Sequence, residues 1–230
     1  MKKVLKGLNR YPKTKEANET FLLVNEIYKS INGEGPLQGY PVVIVRLMGC
    51  NLRCSYCDTK YAYYEGERIS FNELLKKISS FKTKSVLLTG GEPLCQSSVI
   101  DFGGLLIKKG YEVSLETNGS YPLGEIPKKI VKIVDVKTPD SGFKDSFIER
   151  NLLYLDNKDC LKFVLSSEKD YKWAKDFLSK RKNIKCEIIF SPVYNKLPLK
   201  KLAEWIIKDN LYVKMSFQLH KAIWGERRGV

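Results

Sequence analysis

From residue 22 onward the chain alternates short, β-branched apolar runs with amphipathic stretches, and this alternation restricts the fold more than any other feature. The runs 22–31, 42–47, 85–88, 112–116, 130–136, 161–165 and 187–190 have the length and residue types of largely buried strands. Stretches 71–81, 99–109, 169–181 and 199–208 carry apolar residues at helical spacing. Ser70, with Glu73 three residues later, predicts a capping-box start for the first helix, and Pro198 suits the first turn of the last. Strands followed by helices predict an α/β chain with a parallel sheet. About six such strands fit an open, partial β/α barrel better than a closed eightfold one. At 230 residues the chain can build one large core. The expected organisation is a basic N-terminal arm over residues 1–20 and a single domain over 21–230.

In parallel α/β architectures the loops after the strands gather at one end of the sheet. Candidate chemistry falls there repeatedly: Cys50 to Cys57, Gly90-Gly91-Glu92-Pro93, Glu116-Thr117-Asn118-Gly119, Asp135-Val136-Lys137 and Ser191-Pro192 each follow a strand-like run. The first of these places Cys50, Cys54 and Cys57 in one loop. Their spacing suits three corners of a [4Fe-4S] cube and leaves the fourth iron open. A structural zinc site normally closes four ligands, and the loop offers no fourth cysteine or histidine; the single histidine, His220, is far downstream. A disulfide framework is disfavoured because Met1 to Lys6 lacks the apolar region of a signal peptide, which predicts a reducing, cytoplasmic compartment. Gly90-Gly91 would let backbone approach a ligand, although a tight turn is the ordinary reading of such a pair. Asn118-Gly119 is likewise a frequent turn pair. Cys95, Cys160 and Cys186 have no cluster spacing and read as buried structural thiols, and Trp173, Trp205 and Phe177 read as core.

The formal net charge of +14 favours anionic partners. The lysines are dispersed, however, at positions such as Lys76, Lys77, Lys108, Lys109, Lys128, Lys129, Lys200 and Lys201, which reads as solvated helix faces rather than a nucleic-acid patch. No apolar stretch approaches the ~20 residues that span a bilayer, so no membrane partner is expected.

The cysteine loop, with Tyr56 before its last cysteine, and the later Gly90-Gly91-Glu92-Pro93 resemble the radical S-adenosylmethionine superfamily. That resemblance implies a [4Fe-4S] cluster held by three thiolates, with S-adenosylmethionine on its fourth iron. The flanks narrow it further: Ser30 to Pro36, Cys57-Asp58-Thr59, Gln218 to Lys221 and Trp224 to Val230 are similar to the 7-carboxy-7-deazaguanine synthase family, in matching order from about residue 25 onward. The family likeness implies a lyase that contracts 6-carboxy-5,6,7,8-tetrahydropterin to 7-carboxy-7-deazaguanine with loss of ammonia, on the route to queuosine and archaeosine. S-adenosylmethionine would be regenerated, and Mg²⁺ would assist.

The resemblance also implies residue roles. Ile31, Asn32, Gly33, Glu34, Arg46, Thr89, His220 and the terminal carboxylate of Val230 match substrate positions. Tyr56, Cys57, Asp58, Gly91, Asp135, Val136, Lys137, Ser191, Pro192, Val193 and Tyr194 match S-adenosylmethionine positions, and Thr59 matches the Mg²⁺ position. Arg46 has a physical rationale, because a guanidinium forks onto a carboxylate with two parallel charge-assisted bonds; the ordinary alternative is a strand arginine paired with a surface acid. Glu34 would accept from the amino and ring N–H groups of a pterin, or serve as a turn acid. Position 32 is commonly Gln in the family and is Asn here, which keeps the amide and shortens its reach. From spacing alone Thr59 reads more readily as a loop threonine capping local backbone, and a helix-end surface lysine is the ordinary alternative for Lys137.

Two other readings stay open from sequence. A glycyl-radical activating protein shares the cysteine spacing and acts on a protein partner, and an iron-sulfur RNA-binding module would use the positive charge. Flavodoxin or ferredoxin is the expected electron donor, steered by the basic surface, and a homodimer is expected from the family.

Overall fold

The computed structural model describes residues 15, 16 and 19–230, so most of the arm expected over 1–20 lies outside the described residues. The elements in chain order are β1 (Lys15–Glu16), β2 (Glu19–Ile31), β3 (Pro41–Leu47), β4 (Glu67–Ser70), α1 (Phe71–Ser80), β5 (Ser85–Gly90), α2 (Ser98–Lys108), β6 (Glu112–Thr117), β7 (Val131–Asp135), β8 (Cys160–Leu165), α3 (Glu168–Ser179), β9 (Glu187–Pro192), α4 (Leu199–Lys208), β10 (Lys214–Met215) and α5 (Leu219–Trp224). The strands form one sheet in the order β1-β2-β3-β5-β6-β7-β8-β9-β10, with β4 beside β2. The order never returns on itself, so the barrel is open.

From β3 through β10 neighbouring strands pair parallel. β2 departs from that expectation: it pairs antiparallel with β3. Residues 32–40 between them are too few for a crossover helix, which a parallel connection needs. Within the segment expected to be an arm, Lys15 and Glu16 already pair with Thr20 and Glu19.

Local chemistry sets the helix boundaries. Ser70 and Glu73 form the reciprocal capping box, with Ser70 N–H on Glu73 Oε2 at 3.0 Å and Glu73 N–H on Ser70 Oγ at 3.3 Å. Pro198 sits one residue earlier than expected, as the N-cap of α4, and α4 is followed by the short α5. After β6 and β7 the chain crosses without an α-helix, and the buried Asn151 side chain supplies hydrogen bonds there instead. It donates to Gly119 O at 3.0 Å and Tyr121 O at 2.9 Å and accepts from Leu123 N–H at 3.1 Å.

Side chains alternate across each strand. One sheet face packs Val43, Val45, Leu47, Val86, Leu88, Leu115, Leu161 and Phe163 against Leu74, Ile78, Phe102, Leu106, Ala174, Phe177 and Leu202 of the helices, and this is the main core. Trp173 and Trp205 pack on its rim, and Cys95, Cys160 and Cys186 are buried free thiols. The opposite face carries a smaller apolar layer of Val42, Ile44, Leu87, Ile133, Cys160 and Ile189, and this layer floors the concave side. Among the described residues no helix is long and apolar enough to cross a membrane.

Candidate active site

Above that apolar floor the inward positions of the same strands change character. Arg46, Thr89, Glu116 and Asp135, at or next to the C-terminal ends of β3, β5, β6 and β7, line a cavity of about 440 Å³ with Lys162 from within β8. Register makes them neighbours: Arg46 stands beside Thr89, and Asp135 beside Lys162. The polar layer lies where parallel strands end, as their geometry requires of a site.

The cysteine loop forms another wall. Cys50, Cys54 and Cys57 are all free thiols lining the cavity, packed with Leu52, Tyr63 and Phe143. Burial pushes the Cys50 thiol up to about 12 and raises that of Cys54. Three thiols in an apolar surround, with no disulfide between them, are the donor set that a three-cysteine cluster requires. Among the described residues no three His, Cys, Asp or Glu side chains converge on an ion-sized point.

Gly90 and Gly91 serve the protein's own backbone. A Cβ on Gly90 would lie 2.3 Å from Leu47 O, and one on Gly91 would lie 2.3 Å from Gly49 O and 2.7 Å from the Cys50 Cβ. Glu92 N–H donates to Gly49 O at 2.8 Å, so the end of β5 is clamped onto the root of the cysteine loop. The fully buried Glu92 carboxylate extends the clamp to the end of β6, accepting from Leu94 N–H at 3.0 Å, Thr117 Oγ1 at 2.8 Å and Asn118 N–H at 2.7 Å. Burial pushes its pKa up to about 7, against the lowering effect of these donors.

Charge is organised in two groups. Arg46 donates from Nε to Glu26 Oε1 at 2.7 Å and from Nη2 to the Tyr28 hydroxyl at 3.0 Å, while the Tyr61 hydroxyl donates to Glu26 at 3.0 Å. Burial opposes the guanidinium charge, but Tyr28, Tyr61 and Glu26 outweigh it and hold Arg46 protonated. In the second group Lys162 Nζ lies 2.7 Å from Glu34 Oε2, 2.5 Å from Glu116 Oε1 and 3.8 Å from Asp135 Oδ2. Thr89 Oγ1 donates to Glu116 at 2.9 Å, Ser191 Oγ to Glu34 at 3.4 Å, and Lys137 Nζ to Asp135 at 2.9 Å. Burial raises the Glu34 carboxyl even beside Lys162, whereas Glu116 is held low by the same ammonium.

The C-terminal segment covers the cavity mouth. Gln38 Nε2 donates to Gly33 O at 3.0 Å and to Phe217 O at 2.7 Å, and Leu219 N–H donates to Gly33 O at 3.0 Å. A Cβ on Gly33 would lie 2.1 Å from His220 Nδ1, so glycine there makes room for the imidazole. Asp58 ties the segment to the cysteine loop, accepting from Lys221 Nζ at 2.5 Å, Gln218 Nε2 at 3.1 Å and Thr59 Oγ1 at 2.9 Å. Although its surroundings would tend to raise it, Lys221 and these donors hold its carboxyl well below the usual range.

A model of the radical SAM superfamily matches residues 44–145, the span from β3 through β7 that includes the cysteine loop and the glycine clamp. The 7-carboxy-7-deazaguanine synthase of Koribacter versatilis is 38% identical over 224 residues, covering 90% of this chain and 99% of that protein. That of Chlorobaculum tepidum is 38% identical over 219 residues, covering 93% and 100%. The chain belongs to the 7-carboxy-7-deazaguanine synthase family. Its fold is similar to the crystal structure of QueE from Escherichia coli, with a TM-score of 0.72 over 86% of this chain and 94% of that one, at 21% identity.

Most positions matched to the synthase family from sequence stand together on the cavity wall: Asn32, Gly33, Glu34, Arg46, Cys50, Cys54, Tyr56, Cys57, Asp58, Thr59, Thr89, Gly91, Asp135, Lys137, Val193, Tyr194, His220 and Val230. Four do not line it. Ile31 ends β2. Val136 packs into the main core, Pro192 lines a neighbouring groove, and Ser191 is buried behind Glu34. Tyr56 donates its hydroxyl to Val164 O at 3.2 Å and lies 3.2 Å from Thr138 Oγ1, which fixes its ring against the wall. The sequence reading passed over Lys162, Glu26 and Tyr28, and it named the Glu116 and Lys221 segments without giving either residue a role. A lysine inside the apolar run Cys160–Leu165 was the available signal, since an inward charge in a buried strand needs partners.

Proposed function

We propose that the chain is a ring-contracting lyase that converts 6-carboxy-5,6,7,8-tetrahydropterin to 7-carboxy-7-deazaguanine with loss of ammonia, in 7-deazapurine biosynthesis such as the route to queuosine. The observation that carries this is the polarity of the cavity: a guanidinium on β3 at one side, half-buried carboxylates around the buried Lys162 at the other, and three thiols alongside. A carboxylated pterin has the complementary layout. Arg46 would fork onto the substrate carboxylate; two of its five donors are engaged by Glu26 and Tyr28, which orient it. Glu34 and Glu116 would accept from the amino and ring N–H groups, with Thr89 and Asn32 completing that edge. The Asn32 Nδ2 is buried without a protein partner, which leaves it free to donate.

Cys50, Cys54 and Cys57 would hold a [4Fe-4S] cluster, and Tyr56, Asp58, Asp135, Lys137, Val193 and Tyr194 would surround S-adenosylmethionine. That pair would supply the one-electron chemistry needed to open the pterin C–H bond. Thr59 offers one hydroxyl, with further oxygens from water and substrate, which suits Mg²⁺. His220 and the segment around it exclude water from the mouth. Burial lowers the His220 pKa and so keeps its imidazole neutral near pH 7. A charged cavity of about 440 Å³ suits a small substrate, which favours the pterin over the activating-protein reading. We place the enzyme in the cytoplasm, as a homodimer reduced by flavodoxin or ferredoxin, whose acidic surface the charge of +14 would steer.

The experiment compares wild type and Arg46→Ala on the carboxylated pterin and on its analogue without the carboxylate. The expected result is a loss of about 10- to 100-fold in kcat/KM on removing either partner, with little further loss on removing both. Independent, multiplying losses would refute the assignment.

A further inference from the structure

Resting on the pterin reading, we infer that Lys162 is a positioning residue that yokes Glu34 and Glu116 into one paired acceptor for the N–H edge of the substrate. Lys162 is on β8, Glu34 in the loop after β2, and Glu116 at the end of β6, so nothing in the local backbone holds the two carboxylates together. Their common tie is one ammonium, 3% exposed, 2.7 Å from Glu34 Oε2 and 2.5 Å from Glu116 Oε1.

The remaining oxygens are held from the flanks. Ser191 donates to Glu34 Oε1 and Thr89 to Glu116 Oε2. The third carboxylate, Asp135, has its own lysine, Lys137, at 2.9 Å, and stands at the longer 3.8 Å from Lys162. Lys162 therefore serves mainly the two glutamates. Three carboxylates against two ammonium groups leave a formal excess of one negative charge on this part of the cavity wall. Such a group favours a donor-rich, electron-poor edge such as the aminopyrimidinone of a pterin. Without the ammonium the two half-buried carboxylates would repel, and one would take up a proton and lose an acceptor position.

The test measures the pterin Kd and the S-adenosylmethionine Kd of the reconstituted protein, from pH 5.5 to 8.5, for wild type, Lys162→Met and Lys162→Arg. Lys162→Met is expected to weaken pterin binding by about 10- to 100-fold. It should also move the acid limb of pterin binding to higher pH and change S-adenosylmethionine binding by less than about twofold. Lys162→Arg keeps the charge, so it is expected to keep the wild-type acid limb and an intermediate pterin affinity. Unchanged pterin affinity in a folded Lys162→Met chain overturns the inference, as does an equal loss for both ligands. If Lys162→Met does not fold, Lys162→Arg decides: a wild-type acid limb supports the yoke and a raised one overturns it. Wild-type protein that binds S-adenosylmethionine but no pterin would remove the functional reading, and the inference with it; a failure confined to the variants removes the inference alone.

Discussion

The clamp between β5 and the cysteine loop can be tested with one methyl group. In Gly91→Ala the new Cβ would lie 2.3 Å from Gly49 O, whereas contacts even of 3.0–3.4 Å are already tighter than most, so a shift of about 1 Å is needed. The neighbour is backbone, and it cannot swing aside as a flexible side chain would. Moving it also strains the bonds from Gly91 N–H to Leu47 O at 3.2 Å and from Glu92 N–H to Gly49 O at 2.8 Å. Overpacking of this kind costs about 1–3 kcal/mol and a weakened hydrogen bond about 1 more, roughly 2–4 kcal/mol together. For a chain of this size that lowers Tm by about 4–16 °C. Gly104→Ala is the control: it lies inside α2, its nearest neighbour is the Pro127 Cγ at 4.0 Å, and the change is expected to stabilise by up to about 1 kcal/mol. The assay is thermal unfolding of the cluster-free protein, followed by iron per chain after anaerobic reconstitution. Opposite signs for the two variants, with iron lost only in Gly91→Ala, are the expected result. A Gly91→Ala chain that melts at or above wild type would refute the clamp.

Glu92 gives a pH signature. Its folded pKa is raised from 4.5 to about 7, so its contribution to stability is fully present below about pH 4.5 and lost as pH rises through 7. Relative to Glu92→Gln, wild type should therefore lose up to about 3 kcal/mol between pH 5 and 8 in urea unfolding, and a flat difference would contradict this. At the far end of the barrel, Asp159 is fully buried, with Lys132 Nζ at 2.9 Å and the N–H groups of Lys132 and Asp156 at 2.8 and 3.0 Å. Asp159→Ala strands the Lys132 charge and should cost about 3–5 kcal/mol in denaturant unfolding. A cost under about 1 kcal/mol would mean that the pair is dispensable. Gly33→Ala should displace His220, whose Nδ1 would lie 2.1 Å from the new Cβ, and open the mouth between Gly33 and Leu219. Faster amide exchange over residues 216–224 than in wild type checks that; unchanged protection would contradict it.

The sequence carried the layers of this fold because apolar alternation and helical spacing are local properties. The strands β3 and β5 to β9 and the helices α1 to α4 stand at the expected places, and the Ser70-Glu73 cap could be read from two residues. The antiparallel β2 was not legible, because direction depends on whether nine or more than a dozen residues connect two strands, and no motif marks it. The two-residue strand β10 carries too little pattern to detect, and it is ordered by Phe190 and its neighbours on β9. In the site, the cysteines were visible from their spacing, and Arg46 from the family resemblance. Gly91 was visible as an unusual glycine, but the backbone it meets is that of the cysteine loop, which only tertiary structure reveals. Lys162 was hidden within a strand whose apolar neighbours dominated the pattern, and its meaning lies in a contact with Glu116 across 46 residues of sequence.

Ring contraction of a carboxylated pterin, in the cavity beside the three cysteines, can be followed in a single reaction. The direct measurement is anaerobic turnover of the reconstituted protein with S-adenosylmethionine, Mg²⁺, a reductant and 6-carboxy-5,6,7,8-tetrahydropterin, following 7-carboxy-7-deazaguanine, ammonia and 5′-deoxyadenosine. The account predicts 7-carboxy-7-deazaguanine and ammonia in equal amounts, well in excess of 5′-deoxyadenosine. S-adenosylmethionine cleavage by an intact cluster with no deazaguanine formed would contradict it.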